Sequence, residues 1–145
     1  MFEIKQLSVE NLAELVEFSN KEISYNKWNE QNFTAAISKP QYLSLGAFLN
    51  GQLAGFIIFY NAFEESTLMI VCVKQEFKRK QIATKLFDDA VLILKNANIN
   101  KVFLEVKSTN APATSFYQKL GFSVLRVRKA YYSDGSDAVE FMLEI

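Results

Sequence analysis

The chain has 145 residues, half of them hydrophobic, which is long enough to bury a full core and too apolar to stay disordered. Sixteen basic and sixteen acidic side chains cancel, which argues against a nucleic-acid binder working through gross charge. One cysteine rules out an internal disulfide framework, and the absence of histidine removes Ser-His-Asp and Cys-His activation together with the commonest zinc ligand.

The first twenty residues carry charges throughout and no apolar run reaches membrane-spanning length, so the expectation is a soluble cytoplasmic monomer, with residues 1–145 as one domain and no metal. Ser8 is a natural cap for a helix over residues 9–20, where Leu12, Leu15 and Val16 recur at helical spacing. Asn29 caps a second helix with Phe33, Ala36 and Ile37 on its buried side, ending before Pro40. Residues 42–49 and 52–60 flank Asn50-Gly51, a strong hairpin signal. Residues 66–73 form a continuous apolar run, predicting a central strand covered on both faces. Leu86, Ala90, Val91 and Leu94 mark a helix over 83–96, and 101–107 reads as a strand. Segments 124–132 and 138–145 close the sheet as an antiparallel pair. The coarse order is β-α-α-β-β-β-α-β-α-β-β, an α+β chain with a mixed sheet and helices on its faces.

The most informative stretch runs from Leu104 to Phe122, LEVKSTNAPATSFYQKLGF. A strand carrying Glu105 leads through a loop containing Asn110 into a short helix carrying Tyr117, and Pro112 and Gly121 suit its start and stop. An acid, an amide and a phenol thus converge near one strand end. In the strand, Val102, Leu104 and Val106 share one face, leaving Phe103, Glu105 and Lys107 on the other.

This stretch resembles the C-terminal half of the GNAT superfamily, the acetyl-coenzyme-A-dependent N-acetyltransferases. Within it the likeness is to the RimI-type enzymes, which acetylate the N-terminal alanine of a ribosomal protein. The pattern continues through Arg126-Val127-Arg128-Lys129-Ala130-Tyr131-Tyr132 to Asp134-Gly135 and Asp137-Ala138. Upstream, Tyr25-Asn26-Lys27-Trp28 with Phe33 is similar to the substrate-side segment, and residues 67–73 to the central strand. The resemblance implies a GNAT fold, with a mixed, mostly antiparallel sheet of six to seven strands and about four helices. It also implies direct acetyl transfer from acetyl-CoA to a protein N-terminal amine.

On that resemblance Val71, Cys72 and Val73 pair with the pantetheine arm as an added strand would. Lys78-Arg79-Lys80-Gln81-Ile82-Ala83, followed by Thr84, stands where the family has a Q/R-x-x-G-x-G/A pyrophosphate turn, with Gln81 at a glycine position. The plain alternative for this stretch is a solvated basic turn. Glu105 would be the general base, or else a surface acid neutralised by Lys107. Tyr117 would protonate the departing sulfur, or else simply pack against the sheet, with Phe116 better suited to core. Asn110 would bind the cofactor arm, cap its helix, or do both. Cys72 as an acyl carrier is disfavoured, because a buried thiol has a raised pKa. Trp28, Phe33, Arg128, Tyr131, Tyr132 and the loop 133–137 would form an aromatic and cationic rim for the acceptor. Two other readings stay open: a GNAT enzyme acting on a small amine, and a non-catalytic module that binds coenzyme A.

Overall fold

A computed structural model describes residues 2–23 and 27–145. The elements run β1 (Glu3–Gln6), α1 (Leu12–Glu22), α2 (Glu30–Ser38), β2 (Tyr42–Leu49), β3 (Gln52–Ala62), β4 (Glu65–Val73), α3 (Ile82–Asn96), β5 (Lys101–Lys107), α4 (Ala111–Lys119), β6 (Ser123–Arg128) and β7 (Ala138–Glu144). Seven strands form one sheet in the order β1-β2-β3-β4-β5-β7-β6. Every neighbouring pair is antiparallel except β4 and β5. This α+β architecture, with four α-helices among the described residues, has the expected element order.

Local chemistry accounts for the boundaries. Asn29 accepts from the Asn32 amide at 2.8 Å while the Asn32 side chain accepts from the Asn29 amide at 3.0 Å, a reciprocal cap for α2. Asn50 and Gly51 both take positive φ, 51° and 81°, as a two-residue hairpin of matching twist requires. The helix expected from Ser8 begins instead as a 3-10 turn over Val9–Asn11, and α1 proper starts at Leu12.

Period-2 alternation divides the interior in two. On one face of β3, Phe56 and Ile58 meet Leu15, Phe18, Phe33 and Ala36 of α1 and α2. On the other face, Ile57 and Phe59 meet Leu86, Phe87, Ala90 and Leu94 of α3, together with Val102, Leu104 and Val106 of β5 and Tyr117 of α4. The strands covered on both faces are therefore β2, buried from Leu43 to Phe48, and β3, buried from Leu53 to Phe59, and not β4 as its apolar run suggested. Thr67 and Met69 of β4 are exposed. Hydropathy alone cannot separate these neighbours, because β4 spends its apolar side chains partly on lining a cleft.

The strand expected over 124–132 also stops early, at Arg128. Ala130 adopts φ 50°, and its amide donates to Asp137 Oδ1 at 2.9 Å, which takes the backbone out of the ladder. Tyr131 and Tyr132 consequently lie on a loop.

Candidate active site

The site is a place where the sheet comes apart. β4 and β5 pair over three positions only, Glu65 with Lys101, Ser66 with Val102 and Thr67 with Phe103. Just beyond, the register of β4 against β3 shifts between Leu68 and Ile70, so Met69 is an extra residue in β4. Such a bulge bends and twists its strand. Past it, β4 stays with β3 as far as Val73, while β5 follows β7, and the facing edges of Ile70–Val73 and Leu104–Lys107 separate. Gly55 permits the first of these attachments: a Cβ there would lie 2.9 Å from the Cys72 carbonyl oxygen.

The gap opens into a cleft of about 720 Å³. Val71, Cys72 and Val73 form one wall, Val106, Asn110 and Tyr117 the other. Lys78, Arg79, Gln81, Ile82, Ala83 and Thr84 close its end at the start of α3. Gln81 sits at φ 59°, ψ 27°, the left-handed backbone that glycine adopts freely, so the turn keeps a glycine-like path despite its side chain. Its side chain makes no cap bond, which leaves the first-turn amides of α3 for another acceptor, whereas α2 and α4 have their own asparagine caps. In α4 the Asn110 side chain accepts from the Ala113 amide at 3.2 Å.

The cleft thus fits an acyl-CoA by its chemistry: an open apolar strand edge for an amide-bearing arm, uncapped amides and cations for a pyrophosphate. Lys80, expected with this group, is exposed and outside the lining, between the left-handed residues Arg79 and Gln81. Burial, reinforced by the nearby Glu22 carboxylate, pushes the Cys72 thiol up to about 11, which leaves almost no thiolate at neutral pH.

Glu105 lies on the separated part of β5, on the face opposite Val106, and its side chain is one-third exposed. The partner is Arg128, with Nε 3.3 Å from Glu105 Oε1, and not Lys107, whose ammonium pairs with Asp134 Oδ2 at 2.6 Å. The Arg128 guanidinium lies 5.6 Å from the centre of the Tyr131 ring, and Lys107 Nζ the same distance from that of Tyr132. Glu105 does not line the cleft; Tyr117 does, and it is buried among Phe116, Phe122 and Phe141, with ring centroids 5.4, 5.8 and 6.5 Å away. Desolvation pushes its phenol up to about 12, so it remains a proton donor throughout the neutral range.

The expected rim separates into two groups. Arg128 pairs with Glu105, Tyr131 lies by the Arg128 guanidinium, and Tyr132 packs edge-on to Tyr131 at 5.3 Å. Phe33 does not join them: it is wholly buried, edge-on to Phe56 at 5.7 Å, because its helix turns that stripe into the core. Trp28 is half-buried against Phe33 at 5.3 Å, and its carbonyl accepts from the Ser19 hydroxyl at 3.5 Å. Tyr25 and Asn26 of the same segment lie outside the described residues. Phe116, expected in the core, lines the cleft, and Tyr117 is the more buried of the two. Sequence reasoning missed Phe77, Pro112, Lys119 and Glu22 as lining residues. Glu22 reaches the site from α1, accepting from the Gln75 amide at 2.9 Å across 53 positions, a contact with no local signal.

Residues 9–122 match the model of the acetyltransferase (GNAT) family, and the chain belongs to that family. It is an N-acetyltransferase of this type, and GNAT enzymes use acetyl-CoA. Over 121 residues, 81% of each chain, it is 31% identical to the ribosomal protein bS18-alanine N-acetyltransferase of Escherichia coli K12. An N-alpha-acetyltransferase of Saccharolobus solfataricus is 42% identical over a shorter stretch, 47% of this chain and 41% of that one. The crystal structure of the Escherichia coli S18-alanine N-acetyltransferase superposes with a TM-score of 0.90 at 27% identity, covering 100% of this chain and 94% of that one. The PaiA N-acetyltransferase of Thermoplasma acidophilum, solved with coenzyme A, gives 0.80 at 26%, with coverage of 97% and 98%.

Proposed function

We propose that this protein acetylates a protein N-terminal α-amine, with the N-terminal alanine of a small-subunit ribosomal protein as its acceptor, acting in the cytoplasm as a monomer of one domain. The carrying observation is the placement of an acid and a phenol on opposite sheet faces at the one gap between β4 and β5. Similarity to an alanine N-acetyltransferase supports the choice of acceptor.

Acetyl-CoA, when bound, supplies an acyl group activated as a thioester. The edge of Val71–Val73 and the Asn110 side chain hold its arm, and the amides of Ile82, Ala83 and Thr84, with Lys78, Arg79 and the neighbouring Lys80, meet its phosphates. An α-amine has a reference pKa near ~8 and attacks only when neutral, so a Glu105 carboxylate oxygen accepts its proton, directly or through water. The Tyr117 hydroxyl donates a proton to the leaving sulfur. Arg128, Tyr131, Tyr132 and Trp28 line the approach of the peptide. No acyl-enzyme is required, consistent with the protonated Cys72 thiol.

Intact-mass analysis of peptides incubated with acetyl-CoA and the protein is the test. A peptide beginning Ala-Arg-Tyr is expected to gain one acetyl group at its amine. Acetylation of polyamines, aminoglycosides or free amino acids with none of the peptide would replace this reading with a small-amine enzyme. Binding of acetyl-CoA without turnover on any amine would leave a non-catalytic module.

A further inference from the structure

Among the described residues that line the cleft, Glu22 is the one carboxylate, set against the cations Lys78, Arg79 and Lys119. It occupies the last position of α1. The two sides of the cleft belong to different sheet faces. Val71, Val73 and Tyr117 pack in the core that holds α3, whereas Ile70 and Cys72 pack in the core that holds α1 and α2. Helices α3 and α4 cover the face that carries Tyr117 and supply much of the lining, but of α1 and α2 only Glu22 reaches the cleft. The α1 side is therefore the open approach, and whatever enters by it passes this carboxylate.

Glu22 is held but not neutralised. Its Oε1 accepts from the Gln75 amide at 2.9 Å, and it takes part in none of the ion pairs among the described residues. The end of its helix adds to the same field, since a helix C-terminus carries partial negative charge; there Lys27 Nζ already donates to the Asn20 carbonyl at 3.2 Å. A negative charge at this place opposes the phosphates that acetyl-CoA brings. The acceptor brings the opposite sign, because an α-amine with a reference pKa near ~8 arrives mainly as the ammonium at neutral pH.

We infer that Glu22 binds the ammonium group of the acceptor through its second carboxylate oxygen, and so admits amines to the cleft in preference to neutral groups of the same shape. The inference rests on the reading of the acceptor as an amine and adds the group that selects it; the proton and acyl transfers that follow are unchanged.

The test is a binding cycle in protein saturated with coenzyme A, where no acetyl group can be transferred. NMR titration gives dissociation constants for the peptide Ala-Arg-Tyr and for lactoyl-Arg-Tyr, in which a neutral hydroxyl replaces the α-amine. The parent protein is expected to prefer the amine by about 10–100-fold, the worth of one charge-assisted hydrogen bond. Glu22→Gln keeps an oxygen for the Gln75 amide and removes the charge. It should bind acetyl-CoA as the parent does, and bind the two peptides within about threefold of each other. Equal affinity for both peptides in the parent, or a preference for the amine that survives in Glu22→Gln, would overturn the inference. A loss confined to acetyl-CoA would overturn it too and assign Glu22 to the cofactor turn alone. Should the parent acetylate a small amine and not the peptide, the protein N-terminus fails as the acceptor, and the same cycle with that amine and its hydroxyl analogue decides the role of Glu22.

Discussion

Tyr117→Phe separates the chemistry of the phenol from its packing. The side chain is 8% exposed and its ring is held by three aromatic neighbours, all of which phenylalanine retains. The folded protein raises its pKa from 10.0 to about 12 by desolvation. Below pH 10 the phenol is protonated in both folded and unfolded chains, and its ionisation contributes nothing to stability. Above that the unfolded phenol ionises first, the folded state binds the extra proton, and stability falls as pH rises toward the folded value. The loss that follows from this shift is about 1 kcal/mol at pH 11 and grows further at higher pH. Tyr117→Phe has no such loss. Urea unfolding of parent and variant at pH 8 and pH 11 should therefore show a stability difference that shifts in favour of the variant by about 1 kcal/mol between the two. Every other titrating group cancels in that comparison. At neutral pH the variant should lose about 100-fold in kcat with little change in affinity for acetyl-CoA, as the removal of a general acid predicts. A stability difference identical at both pH values would refute the buried phenol, and equal losses of kcat and affinity would refute its catalytic role.

Glu105→Gln is expected to lower kcat/KM most near neutral pH, where the amine is mainly protonated, with the pH–rate profile as the readout; an unaltered profile removes the residue from the mechanism. Cys72, the single cysteine, has a thiol raised from 9.0 to about 11, so its alkylation by iodoacetamide at pH 8 should run about 100-fold slower than that of a free thiol, and slower still with coenzyme A in the cleft. Gln81→Gly should alter stability by less than ~1 kcal/mol, since relief of the left-handed backbone offsets the added freedom of the unfolded chain. Gln81→Val should cost about 1–2 kcal/mol, because a β-branched side chain resists positive φ, and denaturant midpoints distinguish the two.

Local pattern was enough for most of the elements. The Asn50-Gly51 turn, the Asn29 cap, the period-2 strand at Lys101–Lys107 and the asparagine-capped α4 depend on neighbours a few residues apart, and such neighbours interact in nearly any fold. The candidate acid, amide and phenol could be picked out together for the same reason, since all three lie within thirteen consecutive positions, Glu105 to Tyr117.

What a strand faces is another matter. The apolar run of β4 suggested a doubly covered centre, but β2 and β3 hold that place, because coverage depends on where α1, α2 and α3 dock and on the bulge at Met69 that turns β4 away from β5. The family resemblance groups Phe33 with Trp28 as a rim residue, whereas its helical stripe with Ala36 and Ile37 points to the core, and the docking of α2 follows the stripe.

Charge pairing went the same way. Glu105 and Lys107 are neighbours on one strand face, but long side chains choose partners by distance in space, and β6 and its loop supply Arg128 to one and Asp134 to the other. The amino-acid order by itself therefore determined most of the elements, through short-range periodicity and capping. Tertiary structure alone decided where the sheet separates and which charges meet there, because both follow from contacts between residues far apart along the chain.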